Sequence, residues 1–371
     1  MMKVYVATFY KKNYGSALQA FALQSVIKEI GAKPIVITEP VEKCSLKRQI
    51  FSDVLYLLKP EKHYGFVKKS KRLIEERSHH GKIRKIEDFV QKNITTISYD
   101  EGCKEMKKGK CIALAGSDQI WSSINTPVNP FYLFEFVNNK EVKKISYAAS
   151  IGISELSEEQ KNYYSKILAE FKVISFREKI ACDLLKGYLK ESEVRCDIDP
   201  TLLLSTDFWN NMCTRRLINE PYIFVYMLRP NDELINMAKL LSMRYNLKIV
   251  YIGQFNKKYS NVDTMDDAGV EEFLSYIRNA EYVITNSFHG TVFSILFKKK
   301  FVSVRIESTA SRVENLLSAL GLITHLISDS SQLDVIDSEY DVMILENKLN
   351  YLRTESLKYL KREICNNITE G

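Results

Sequence analysis

The chain has 371 residues, more than a single hydrophobic core ordinarily supports, so two domains are expected. Hydrophobic residues make up 45% and charged residues 27%, the balance of a soluble globular protein, and no apolar stretch approaches the roughly 18 residues of a membrane span. The net charge of +7 suits an anionic substrate, an anionic membrane surface or nucleic acid, and its sign does not choose among them.

Met2 to Phe9 is an alternating apolar run and predicts a strand rather than a signal peptide, which makes a cytoplasmic location the expectation. After a polar turn, Ser16 to Ile30 carries apolar residues at helical spacing, and Gly31 is a natural stop. Pro34 to Thr38 is the next strand. Strand, helix and strand in this order form a βαβ crossover, so the sheet is expected to be parallel. Residues 43–92 differ in character, with 14 Lys and Arg against 6 Asp and Glu. They predict an inserted helical pair that includes an amphipathic helix through Phe51, Val54, Leu55 and Leu58, with a break at His79 to Gly81. The basic face is either solvated or rests on anionic lipid.

Further strands are expected at Cys111–Ala115, Lys144–Tyr147 and Val173–Ser175, with a helix from Ser157 to Phe171. Thr206 to Glu220 reads as a linker. Beyond it, β-α alternation resumes with strands at Tyr222–Leu228, Lys248–Ile252, Tyr282–Thr285 and Phe301–Val304, and helices at Glu233–Tyr245, Val270–Asn279 and His289–Phe297. Asp341 to Ile364 is a final long helix. The expected fold is α/β, with two Rossmann-like doubly wound domains facing a cleft. The first spans 1–205 with the basic insert 43–92, the second spans 206–340, and 341–371 packs back on the first. Ligands belong at the carboxyl ends of the strands that face the cleft.

Five segments carry candidate chemistry at such ends. In Thr285-Asn286-Ser287-Phe288-His289-Gly290 a histidine opens a helix directly after a strand, where free N–H groups favour an anion and an imidazole can exchange a proton near neutral pH. Asn13-Tyr14-Gly15-Ser16 forms the first strand-to-helix turn, with Gly15 allowing close backbone approach and Ser16 capping the helix. In Gly116-Ser117-Asp118-Gln119-Ile120-Trp121, Asp118 is placed to orient a sugar hydroxyl and Trp121 to stack on a sugar ring. Arg177 follows the strand Val173–Ser175 and suits a carboxylate or phosphate. Arg305 and Arg312 flank a loop before an amphipathic helix. A plain structural use stands beside each: a buried structural histidine, turn chemistry at 13–16, an N-cap at Ser117 or Asp118, and a surface Arg177–Glu178 arrangement. No HExxH or CxxC pair occurs, so no metal or other cofactor is expected. The seven cysteines, an odd number, are expected to be reduced thiols. With no recognition motif in the chain, nucleic acid is not an expected partner.

Seven pieces taken together resemble the polysaccharide pyruvyl transferase family: NYGSALQAFALQ (13–24), GSDQIW (116–121), ISYAASIG (145–152), ISFREKIA (174–181), DPTLLL (199–204), TNSFHGTVFSILF (285–297) and SRVENLLSALGL (311–322). They stand in family order and span nearly the whole chain. The resemblance implies a fold like that of two-domain glycosyltransferases. It also implies phosphoenolpyruvate as donor, a nucleotide- or lipid-linked sugar as acceptor, and a cyclic pyruvate ketal as product in bacterial surface-polysaccharide synthesis. It makes His289 the acid/base, and Arg177 and Arg312 the groups that meet the donor's carboxylate and phosphate. The family's Arg-x-His pattern reads Ser287-Phe288-His289 here, so a phosphate contact falls to Arg305, Arg312 or Lys298. The alternatives are a nucleotide-sugar-dependent glycosyltransferase using the same cleft, with Glu307 as its nearest acidic candidate, and a sugar-binding component of a polysaccharide assembly.

Overall fold

The computed structural model describes residues 1–11, 13–40, 80–123, 127–253, 257–306 and 310–365. In the first half, apolar runs become strands β1 (Lys3–Ala7), β2 (Lys33–Ile37), β3 (Thr96–Ile97), β4 (Cys111–Ala115), β5 (Val142–Ser146), β6 (Val173–Phe176) and β7 (Glu193–Cys196). They form one sheet in the order β3-β2-β1-β4-β5-β6-β7, parallel at every pairing. The second half repeats the plan with β8 (Tyr222–Met227), β9 (Lys248–Gly253), β10 (Asp263–Thr264), β11 (Tyr282–Thr285), β12 (Lys300–Val304) and β13 (Leu326–Ile327). Their order is β10-β9-β8-β11-β12-β13, again parallel throughout. Parallel neighbours cannot be joined by a hairpin, so crossovers cover both faces, and the central strands can be apolar from end to end. β4 and β8 are buried at every residue for this reason.

The helices are α1 (Tyr14–Glu29), α2 (His80–Asn93), α3 (Tyr99–Met106), α4 (Glu158–Ile167), α5 (Lys179–Leu185), α6 (Thr206–Met212), α7 (Asp232–Tyr245), α8 (Val270–Asn279), α9 (Phe288–Leu296), α10 (Ala310–Leu320) and α11 (Val342–Cys365). α1 starts earlier than its apolar spacing predicts, because its cap is Asn13 and not Ser16. The Asn13 side chain accepts from the Ser16 amide at 3.0 Å, and the Ser16 hydroxyl accepts from the Asn13 amide at 2.9 Å. This reciprocal pair satisfies two of the donors that a helix start leaves open. α1 is buried on nearly all sides because it lies between its own sheet and the second half. There the Tyr14 hydroxyl donates to the Ala268 carbonyl at 2.6 Å, and its ring stacks on Phe273 of α8 at 4.6 Å. One core runs through both halves, from Leu18 and Leu23 through Phe273 and Val292 to Leu349 and Leu360 of α11, while the outer face of each sheet has a core of its own.

The segment Thr206–Glu220 begins with α6, capped by Ser205, and Trp209 within it is fully buried. Its indole N–H donates to the Thr201 carbonyl at 2.9 Å and its ring meets Phe293 edge-on, so Trp209 anchors this otherwise half-buried to exposed stretch to the core. α2, which starts at His80, bridges the halves: Lys82 Nζ donates to the Gly253 carbonyl at 3.1 Å, and Lys85 pairs with Glu272 at 3.0 Å; the break expected at His79 to Gly81 falls at the edge of the described residues. Burial lowers the Lys82 ammonium to about 8. The expected amphipathic helix through Phe51–Leu58, and the insert's 43–79 portion with its lipid-facing reading, lie outside the described residues. α11 meets the first half through Tyr359, which donates to the Ser146 carbonyl at 2.6 Å, and through Arg353, which donates to the Leu202 carbonyl at 2.9 Å. Among the described residues, no helix is long and apolar enough to cross a membrane.

Candidate active site

In each sheet the strand order reverses once, between β1 and β4 in the first and between β8 and β11 in the second. At such a switch point the crossovers leave in opposite directions and open a crevice beyond the carboxyl ends of the strands. The two crevices face each other. Asn13 follows β1, Asp118 and Gln119 follow β4, Leu228 and Arg229 follow β8, and Asn286 to His289 follow β11. With Arg312 and Val313 of α10 these residues line one polar cavity of 90 Å³.

His289 sits in the first turn of α9, whose N-cap is Ser287. The Ser287 hydroxyl accepts from the Gly290 amide at 3.4 Å, and the Ser287 amide donates to the Thr285 hydroxyl at 3.0 Å. The imidazole rests against Gly15 of α1, where an added Cβ would lie 2.1 Å from His289 Nδ1 and 2.6 Å from its Cγ. Glycine at 15 is what lets the second half's histidine approach the first half's leading helix. On its other side, His289 Nε2 lies 3.6 Å from Asp199 Oδ2 and makes no hydrogen bond.

Asp199 follows β7 and is fully buried on its side chain. Oδ1 accepts from the Thr201 amide at 3.0 Å and the Thr201 hydroxyl at 2.6 Å, while Oδ2 accepts from Arg177 Nη1 at 2.8 Å. Burial alone would raise this carboxyl, but facing His289 and Arg177, with the Thr201 hydrogen bond, hold it well below the usual carboxylate range. Arg177 is also 3.7 Å from Asp118 Oδ1. Burial opposes its charge, and Asp199, Asp118 and Glu178 outweigh that and raise its pKa. Its Nε and Nη2 have no hydrogen-bond partner. His289, Asp199, Arg177 and Asp118 therefore form one continuous chain of ionisable groups that crosses between the halves.

Arg312 is 8% exposed, yet it takes part in no ion pair or hydrogen bond among the described residues. Its guanidinium lies 5.9 Å from the Phe288 ring, and that of Arg177 lies 4.6 Å from the same ring. Burial and then Arg177 lower Arg312 to about 10. Beyond Phe288 is a second cavity of 310 Å³, walled by Arg177, Asp199 and Arg312 on one side and by Leu316, Ala319 and Leu352 on the other. The arrangement can hold a small anion against an arginine and present an imidazole backed by a carboxylate. Among the described residues, no three His, Cys, Asp or Glu side chains converge as a metal-ion set.

Of the residues singled out in the sequence, Asn13, Asp118, Asn286, Ser287, His289 and Arg312 meet at the cavity. Gly15 lies behind His289, and Arg177 stands at the second cavity's wall. Tyr14 and Ser16 are committed to the interface and the helix cap. The Ser117 hydroxyl donates to the Ala148 carbonyl inside the core. Trp121 is fully buried against Phe171 and Phe176, with its N–H on the Tyr132 carbonyl, and has no free face for a sugar ring. Arg305 pairs with Glu314 at 3.0 Å and Lys298 with Glu346 at 3.0 Å; neither lines the cavity. Glu307 lies outside the described residues. The sequence reading assigned no role to Asp199, Phe288 or Arg229. Asp199 lay inside the DPTLLL piece, and Arg229 follows a predicted strand just as Arg177 does.

A family model described as polysaccharide pyruvyl transferase matches residues 13–308. No curated protein matches the chain in sequence. Among solved structures, the chain is similar to UDP-N-acetylglucosamine 2-epimerase from Rickettsia bellii, with 12% identity, 99% of this chain and 98% of that chain covered, and a TM-score of 0.57. It is similar to S. aureus MnaA in its UDP co-structure, with 10% identity, 96% and 97% covered, and a TM-score of 0.54. It also matches Arabidopsis thaliana UGT89C1 complexed with UDP-L-rhamnose, with 10% identity, 98% and 99% covered, and a TM-score of 0.53. At these identities the likeness is one of fold: two facing Rossmann-like halves of the glycosyltransferase B type.

Proposed function

Since the chain belongs to the polysaccharide pyruvyl transferase family, we propose that it transfers the enolpyruvyl group of phosphoenolpyruvate to two hydroxyls of a sugar, forming a pyruvate ketal during bacterial surface-polysaccharide synthesis in the cytoplasm. The observation that carries this reading is Arg312, buried in the same polar cavity as His289 with no ion pair or hydrogen bond among the described residues. A buried cation without a counter-ion is costly, and an anionic donor removes that cost.

In the proposed reaction a proton adds to the donor's methylene carbon, leaving positive charge at C2. A sugar hydroxyl attacks C2 and loses its proton, phosphate departs with its bonding electron pair, and the second hydroxyl closes the ring as its proton passes to the departing phosphate. His289 supplies and recovers the proton. Asp199, 3.6 Å from Nε2, stabilises the imidazolium through its charge. Arg312 and Arg177 balance the donor's carboxylate and phosphate charges. The reacting groups lie between domains we place at 1–205 and 206–340, with the acceptor sugar entering from the open side of the cleft.

Calorimetric titration with phosphoenolpyruvate tests the donor, with a panel of UDP-sugars in parallel. Saturable phosphoenolpyruvate binding is the expected result. Binding of a UDP-sugar without phosphoenolpyruvate would favour the glycosyltransferase reading, which the UDP complexes of the fold relatives motivate.

Gly15→Ala tests the histidine's seat. The new Cβ would collide with the root of the imidazole as well as its edge, so the ring must leave its rotamer. We expect kcat to fall by about 10-fold or more while helical circular dichroism is retained, since a 1 Å displacement at a reacting group can cost roughly 100-fold and alanine favours a helix. Unchanged kcat would show that His289 works from another position.

A further inference from the structure

Two of the arginines at the cavity have no ion pair or hydrogen bond among the described residues. Of its three nearby guanidinium groups, only Arg177 is paired. Arg312 is buried and has neither an ion pair nor a hydrogen bond among the described residues. Arg229 extends from the turn after β8, is exposed, lines the same cavity, and makes no side-chain hydrogen bond or ion pair among the described residues.

The backbone beneath Arg229 is held firmly. Asn286 Nδ2 donates to the Arg229 carbonyl at 2.7 Å, and Asn286 Oδ1 accepts from the Leu228 amide at 2.8 Å. The whole Asn286 amide is thus spent on fixing a two-residue turn whose outward product is one unpaired arginine. Asn286 is 6% exposed, so these bonds are shielded from water. Arg229 is close enough to Arg312 to add to the lowering that burial and Arg177 impose on it, against the opposing pull of Glu178 and Asp118. Like charges brought together without an anion between them are unfavourable and become favourable once a multivalent anion enters. The first-turn N–H groups of α9, at Phe288 and His289, have no intrahelical acceptor and favour the same charge. Ser287 adds no cation, since its hydroxyl caps that helix.

We propose that Arg229 and Arg312, together with the first turn of α9, form a phosphate subsite, and that Asn286 is the positioning residue that holds Arg229 at its mouth. The chemistry is that of a phosphate monoester or a diphosphate. Identifying the phosphate as that of phosphoenolpyruvate rests on the pyruvyl-transfer reading above. Arg229 clamps the phosphate in the donor complex and stabilises it as it leaves, while the carboxylate falls to the remaining cationic wall.

Titrations of phosphoenolpyruvate, inorganic phosphate, pyruvate and UDP into the wild type, Arg229→Ala, Arg229→Lys and Asn286→Ala test this. Arg229 is an exposed turn residue, so its variants are expected to fold. Loss of one charge-assisted contact should weaken phosphoenolpyruvate and inorganic phosphate by about 10-fold to 100-fold. Arg229→Lys should recover part of that loss, and any binding of pyruvate, which lacks the phosphate, should not change. Asn286→Ala should raise KM for phosphoenolpyruvate far more than it lowers kcat, and should add nothing further in the Arg229→Ala background, because it acts through Arg229. Unaltered phosphoenolpyruvate affinity in Arg229→Ala would overturn the subsite and leave pyruvyl transfer standing. If the wild type binds UDP and not phosphoenolpyruvate, and Arg229→Ala weakens UDP, the subsite stands as a diphosphate site and pyruvyl transfer falls. A wild type that binds none of inorganic phosphate, phosphoenolpyruvate or UDP overturns both.

Discussion

Asp199→Ala is expected to destabilise the fold by about 3–5 kcal/mol, the cost of removing one partner from a buried ion pair. The substitution strips Arg177 of its 2.8 Å contact and leaves that guanidinium almost fully buried without its main counter-charge. It also removes the acceptor of two Thr201 hydrogen bonds. The measurement is the urea unfolding midpoint at constant m-value. A change below about 1 kcal/mol would mean that Arg177 finds water or Asp118 instead, and that the chain of ionisable groups is a surface-like arrangement. The pH dependence has a definite sign. The folded Asp199 carboxyl lies below its ordinary value of 3.8, so its contribution is fully present above about pH 4 and is lost as pH falls from there toward the folded value. Wild-type stability should therefore decline on acidification below about pH 4, and Asp199→Asn should give a flatter profile across that window.

His289→Gln is expected to lower kcat by about 100-fold to 10,000-fold, the range for loss of a general acid or base. Binding of phosphoenolpyruvate should change little, because the imidazole is assigned to proton transfer and the arginines to charge. α9 is buried along its whole length, and glutamine is a good helix former of comparable size, so the fold should persist. The checks are single-turnover phosphate release and a donor titration on the same preparation. Activity within about tenfold of wild type would remove His289 from the acid/base role. Parallel loss of donor affinity would make it a binding group.

Much of this molecule can be read from local pattern. Tyr222–Met227 and Cys111–Ala115 are apolar along their length because crossover helices cover both faces of a parallel sheet, and such runs are visible without coordinates. His289 stood out for a similar reason, as an ionisable group placed where a strand turns into a helix. Ser16 was misread as a cap because either member of an Asn-x-x-Ser pair has the right chemistry, and the backbone decides which residue precedes the helix. Trp121 was misread because an indole suits a sugar cleft and a core equally well. The core has it here, with its N–H satisfied by Tyr132.

The sequence by itself determined the two rounds of strand and helix, the family, and which residue types stand at the strand ends, because these follow from the local period of apolar residues and from short motifs. Only the tertiary structure decided which of those ends meet. Asp199 lies 90 residues from His289 in the chain, yet the two are 3.6 Å apart across the halves. Asn286 serves Arg229 across the second sheet's switch point. Whether a charge is spent or available depends on its partners in space: Arg305 and Lys298 are neutralised by Glu314 and Glu346, while Arg312 and Arg229 are left to face the cavity. Pairing of charges is set by distances of a few ångströms between segments far apart in the chain, and no local pattern encodes it.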